Sequence, residues 1–190
     1  SRRKNIFKKT GRIIMTMQIK NRIYGQMSLF ALLIGACFVA ASWLCFINTG
    51  QVFNNPTLNR TISFLLIIGL FIGIRQYRDS SARQGFITYG QAVVTGIWIS
   101  LVTGLVYCLY TIILYSRYPE LLTSYLGMTR EILLQMYGNS PIQEMTEQFF
   151  TAFITPFLIG LTELFSKFVN GLIFTLIIAA FLRKQPTQII

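Results

Sequence analysis

The chain has no histidine, so the commonest general base at neutral pH and the commonest metal ligand are both missing. Carboxylates are almost as scarce. Six Asp and Glu stand against 17 Lys and Arg, and charged residues make up 12% of the 190, where a soluble domain carries about a quarter. No carboxylates are paired and no nucleophile motif is present, so the residues offer no catalytic set; a non-enzymatic protein without metal or cofactor is expected. The three cysteines, Cys37, Cys45 and Cys108, lack metal-ligand spacing and fall within apolar stretches. They read as small packing residues.

Long apolar runs are what the chain has in abundance: Ser28–Ile47, Leu58–Ile74, Gly90–Tyr115 and Phe149–Leu182. Each reaches, or nearly reaches, the length needed to cross a hydrocarbon layer of about 30 Å at about 1.5 Å per helical residue. A backbone in lipid must satisfy its own hydrogen bonds, so these runs are helices. The fold class is therefore all-α: an integral membrane bundle of four spans, about 28–47, 58–74, 90–115 and 157–182. Residues 1–27 form a basic segment ahead of a single membrane domain, 28–190. That segment reads either as a short helix on the membrane surface or as a flexible basic tail.

The net charge of +11 fits membrane topology better than nucleic acid. Arg2, Arg3, Lys4, Lys8, Lys9, Arg12, Lys20 and Arg22 precede the first span, Arg75, Arg78 and Arg83 follow the second, and Arg183 and Lys184 follow the fourth. The opposite loops carry Arg60, Arg117 and Arg130. The positive-inside rule then places both termini in the cytoplasm of a multi-pass inner-membrane protein. The chain begins at Ser1, and a start at Met15 or Met17 would remove some basic residues without reversing this bias.

Small residues mark helix-packing faces: Gly35 in span one, Gly69 and Gly73 in span two, and Gly96, Ser100 and Gly104 in span three. Asn55-Pro56 is a cap and first-turn pair that should start span two. Pro119-Glu120 opens an amphipathic helix with Leu122, Tyr125, Leu126, Thr129, Ile132, Leu133 and Met136 on one face, ended by Gly138-Asn139. Ser140-Pro141-Ile142-Gln143 is a capping-box start for a second. An outward-facing helical hairpin over about 119–153 is expected. At about 50 Å the fourth run exceeds a membrane, so its first residues should project outward or bend at Pro156.

Two constellations carry candidate chemistry. Glu163 and Lys167 stand four apart, where a carboxylate and an ammonium meet on one helix face, and Ser166 and Asn170 extend a polar stripe. With Glu163 near the outer boundary, Lys167 should snorkel to water. Arg75, Arg78 and Arg83, with Tyr77 and Gln76 among them, could grip a phosphate or lipid headgroup, or simply set topology while Asp79 pairs with one of them.

The stretch Gly69-Leu-Phe-Ile-Gly-Ile-Arg-Gln-Tyr-Arg-Asp79, with Gly85-Phe-Ile-Thr-Tyr-Gly-Gln91, resembles the four-span membrane proteins of Bacteroidota grouped as domain of unknown function 4199. Tyr118-Pro-Glu120, Met128-Thr-Arg-Glu131 and Ile177-Ile-Ala-Ala-Phe-Leu-Arg-Lys184 share the likeness, which covers about residues 25–184. It implies four spans and an inner-membrane location. Such proteins are encoded beside glycosyltransferases acting on lipid carriers, which implies an accessory role. At Glu163 and Lys167 mainly apolar or small residues would be expected in such proteins.

The leading expectation is an accessory or scaffold subunit among membrane lipids, packing with another integral membrane protein or with itself through the glycine faces and the outer hairpin. The alternative is a small carrier or lipid transporter that acts as an oligomer and uses Glu163 and Lys167.

Overall fold

The computed structural model describes residues 2–50, 52, 55–80, 85–138, 145–146, 148 and 153–184, with side chains from Gly25 onward except at Tyr137. Five long helices are seen: α1 (Arg2–Thr49), α2 (Pro56–Asp79), α3 (Tyr89–Arg117), α4 (Pro119–Tyr137) and α5 (Pro156–Leu182). Gly25–Thr49 of α1 and the whole of α2, α3 and α5 are long and apolar enough to cross a membrane. The protein is a membrane helix bundle, and the four spans fall where the apolar runs place them.

The basic segment departs from both expectations. It neither lies apart as a surface helix nor trails as a coil, but prolongs the first span as one unbroken helix from Arg2. No proline interrupts it, and a lone Gly11 or Gly25 costs a helix only about 1 kcal/mol.

Local signals account for the helix ends. Asn55 Oδ1 accepts from the backbone N–H of Thr57 at 3.1 Å and of Leu58 at 3.2 Å, with Pro56 in the first turn. Thr88 and Gln91 form a reciprocal capping box at the start of α3. Thr155 caps α5 through Leu158 N–H at 3.3 Å. The long fourth run therefore breaks at Pro156, as expected of a proline. Tyr118 alone separates α3 from α4, because Pro119 disfavours helical backbone in the residue before it. Gly138, at φ 61°, ends α4 in a conformation few other residues adopt. The second helix expected in the outer hairpin lies largely outside the described residues.

α3 is the central helix and packs against all four others, while α2 also packs against α1 and α5. The spans thus form a diamond with α2 and α3 on its short diagonal. Phe38, Ile62, Leu66, Leu70, Ile74 and Ile99 fill its core. Large side chains such as Leu44, Phe64, Ile113, Phe165 and Phe181 point outward, as lipid-facing residues do.

The seams are of two kinds. Hydrogen bonds fasten α3 to α1: Trp98 Nε1–H donates to Ser28 Oγ at 3.0 Å and Thr103 Oγ1 to the Ala31 carbonyl at 3.1 Å. Tyr107 Oη donates to Ser42 Oγ at 3.4 Å. Close backbone approach fastens α3 to α5. Gly96 receives Thr175, Gly171 receives Ser100, and Gly104 receives Leu164, while Gly160 sits against Ile112 and the Cys108 carbonyl. The remaining packing glycines are filled in the same way: Gly35 by Val106, Gly69 by Ile34, and Gly73 by Ile99 and Phe30. These small-residue faces are therefore occupied by the chain's own helices, and the partner interface expected on them has no room there.

At one end of the bundle, Ile87 and Lys184 form an isolated antiparallel bridge, each N–H donating to the other's carbonyl at 3.0 Å. At the other end, Leu121, Leu122, Tyr125 and Leu126 of α4 pack over Tyr115, Ile154 and Ile159. α4 covers the Tyr115 end of α3 and the Ile159 end of α5.

Candidate functional site

One turn of α5 separates Glu163 from Lys167, and because helical side chains lean toward the N-terminus, Lys167 reaches up to its partner. Its Nζ lies 3.0 Å from Glu163 Oε2, with the lysine side chain 9% exposed and the glutamate 27%. The ammonium also lies 5.3 Å from the centre of the Tyr107 ring, within cation–π range. Tyr107 in turn meets Phe38 edge-on and Tyr110 side by side, with ring centres 6.1 and 5.8 Å apart.

This corrects the expectation that Lys167 snorkels to water. Its face of α5 is the one drawn against α3 by Gly160, Gly104 and Gly171, so the chain finds a counter-ion and a ring before it finds solvent. The stripe is corrected as well. Ser166 and Asn170 are exposed while Lys167 is buried, since a step of about 100° per residue turns Ser166 well away from Lys167.

Beside the pair lies a cavity of about 110 Å³ at the α4 end. Its polar walls are Asn59 of α2, Tyr107, Thr111 and Tyr115 of α3, and Glu163 of α5. Val52, Leu114 and Ile159 complete it. Glu163 is the one charged residue among its described walls. Thr111 Oγ1 is turned back to the Tyr107 carbonyl at 2.9 Å and the Tyr107 hydroxyl is given to Ser42, which leaves the carboxylate, the amide and the Tyr115 phenol as the groups available to a guest. The field of Glu163 reaches α4 above: burial pushes the Tyr125 phenol above its ordinary value, and the Glu163 carboxylate adds to the rise.

Asn59, Tyr107, Thr111 and Tyr115 were not read as site residues from sequence. The signal was present on α3, where Ser100, Thr103, Tyr107, Thr111 and Tyr115 repeat at three- and four-residue steps inside an apolar run. Gly160 and Gly171 escaped for a similar reason. They stand eleven apart, three full turns, which returns to the same face without forming a short glycine motif.

The family described as Protein of unknown function (DUF4199) matches residues 27–184. The chain belongs to the DUF4199 family. Comparison with curated proteins and with solved structures returns no match. The match runs from buried Met27 to Lys184, so the family region takes in all four spans, the cavity and the Ile87–Lys184 bridge, and leaves out the basic first turns of α1.

The arginine turn of this DUF4199 chain lies at the opposite end of the bundle. Arg78 holds Asp79 through two contacts, Nε to Oδ1 at 2.7 Å and Nη2 to Oδ2 at 3.3 Å, and Arg75 Nε approaches Oδ2 at 3.6 Å. Arg83 lies outside the described residues. Asp79 thus already occupies the fork of Arg78, and Arg75 approaches it through Nε alone. Replacing Arg75, Arg78 and Arg83 together by lysine is expected to leave co-purified anionic lipid unchanged, by mass spectrometry of the purified protein. A fall in anionic lipid at unchanged orientation would instead make this turn a phosphate site.

Proposed function

We propose that this protein is a small, non-enzymatic lipid-handling carrier whose working element is the cavity beside Glu163. The observation that carries this reading is Glu163, a carboxylate that lines the cavity while Lys167 neutralises it from the buried side. Charges within a span are expensive and are kept where they serve a pathway or a ligand. A pair stabilised only for packing has no need of an open polar chamber next to it. We place the basic end of the bundle in the cytoplasm, by the excess of Lys and Arg there, and α4 on the outer face of the inner membrane.

The test compares lipid retained by the wild-type chain with that retained by Glu163→Gln/Lys167→Met after mild solubilisation. Loss of a tightly held lipid species in the double variant, with the bundle still folded, is the expected result. Equal lipid content in both would remove the cavity from the function.

A second reading is favoured by α4 alone. Its Ile132 and Met136 are 49% and 68% exposed on a helix outside the spans, an apolar pair suited to another membrane protein. In that reading the chain is an accessory subunit, for instance of a glycosyltransferase acting on lipid carriers. Ile132→Lys/Met136→Lys should then release a partner that co-purifies with wild type.

A further inference from the structure

In hydrocarbon a polar side chain finds no water, so the polar groups of a span turn inward or toward another helix. Ser42, Ser100, Thr103, Thr111 and Thr175 follow this rule and are buried within the bundle. Ser166 and Asn170 do not. Both are exposed, Asn170 stands near the midpoint of α5, and neither makes a hydrogen bond to any described residue. The carboxamide alone brings two N–H donors and an oxygen acceptor into lipid with nothing to meet them.

The residues around Asn170 are ordered as a helix seam. Ser166, Asn170, Ile173, Ile177 and Ala180 are all exposed and follow one another at steps of four, three, four and three. That is the heptad spacing at which two parallel helices interlock their side chains, and a lone asparagine in such a row fixes the register. At about 100° per residue the row runs down the side of α5 turned away from Gly171, Thr175 and Ile178, which are buried against the bundle. α5 packs on α3 and α2, at one end of the long diagonal of the diamond, so this side faces out of the bundle.

Charge complementarity selects the occupant. A given chain inserts one way round, set by its Lys and Arg, so all copies cross the membrane in the same sense. A two-fold axis relating two copies then lies along the membrane normal, and a residue beside it meets its own equivalent at the same depth. An asparagine amide is its own complement, the partial positive charge of its N–H facing the partial negative charge of the other oxygen. We infer that two copies of this chain dimerise through the outer side of α5, with Asn170 hydrogen-bonded to Asn170 of the partner subunit. The seam shares no residue with the cavity walls, so the dimer does not depend on a guest there.

The full-length chain is followed in a mild detergent by native mass spectrometry over a range of protein concentrations. The wild type is expected as a dimer. Asn170→Leu should raise its dissociation constant at least about fivefold, the yield of one side-chain hydrogen bond between spans. Leucine suits a lipid-facing position, so the bundle itself should melt unchanged. Position is read separately by oxidative cross-linking in native membranes, with Cys37→Ala to remove the exposed native thiol. Ile173→Cys should give a covalent dimer. Phe165→Cys, equally exposed but one helical step from Ser166, should not. Equal cross-linking at both positions would mean chance collision, and a monomer without cross-links would leave Asn170 in lipid; either overturns the proposal. So does a dimer indifferent to Asn170→Leu and not cross-linked by Ile173→Cys, which uses another face, or a cross-linked product containing a different protein.

Discussion

Lys167→Met alone is expected to destabilise the bundle by about 3 kcal/mol, the low end of what breaking a buried pair costs, because Glu163 keeps 27% exposure. The variant leaves a carboxylate facing α3 with neither its counter-ion nor enough water. Glu163→Gln alone should cost at least as much, since it strands the more deeply buried ammonium, for which the face of Tyr107 is only partial compensation. The double variant Glu163→Gln/Lys167→Met removes the attraction and the desolvation penalty together, and is expected within about 1 kcal/mol of wild type. Thermal or denaturant unfolding of all four proteins in one detergent gives the cycle directly. Single variants as stable as the double would show that water reaches Lys167 after all.

The other large effect belongs to the α3–α5 seam. Gly171→Leu is expected to prevent the two helices from closing, because even a Cβ at this position falls on the Ser100 side chain. Ordinary overpacking costs about 1–3 kcal/mol when the surroundings yield. Here Gly96 against Thr175 and Gly160 against the Cys108 carbonyl hold the backbones too near each other to yield at one level only. Loss of a monodisperse, heat-stable species by size exclusion is the readout. Gly127→Leu on α4, where nothing lies within 4 Å of an added Cβ, is the matched control and should behave as wild type. A stable Gly171→Leu protein would mean that the seam is looser than its contacts indicate.

How much of this was legible beforehand depended on the range of the interaction. Asn55-Pro56, Pro119 and Gly138 act through their own backbones and neighbours, so the helix ends they set were readable from composition at those positions. The Glu163–Lys167 contact was readable too, being a one-turn relation. Where Lys167 points was not. Its burial depends on Gly104 of α3, sixty-three residues earlier in the chain, and on a pair of glycines spaced by three turns rather than one. The cavity was still further out of reach. Its walls come from three helices and from Val52, and no local pattern joins Asn59 to Glu163. The glycine faces were correctly picked as packing surfaces, but which surface each would meet is a property of the assembled diamond.

The small antiparallel bridge at the basic end has a mechanical consequence. Ile87 and Lys184 tie the end of α5 to the turn before α3 by two hydrogen bonds, while the Thr155 cap and the packing of Ile154 and Ile159 under α4 anchor its beginning. A rod fixed lengthwise at both ends does not travel like a piston. The depth of Glu163 relative to Tyr107 is thereby set.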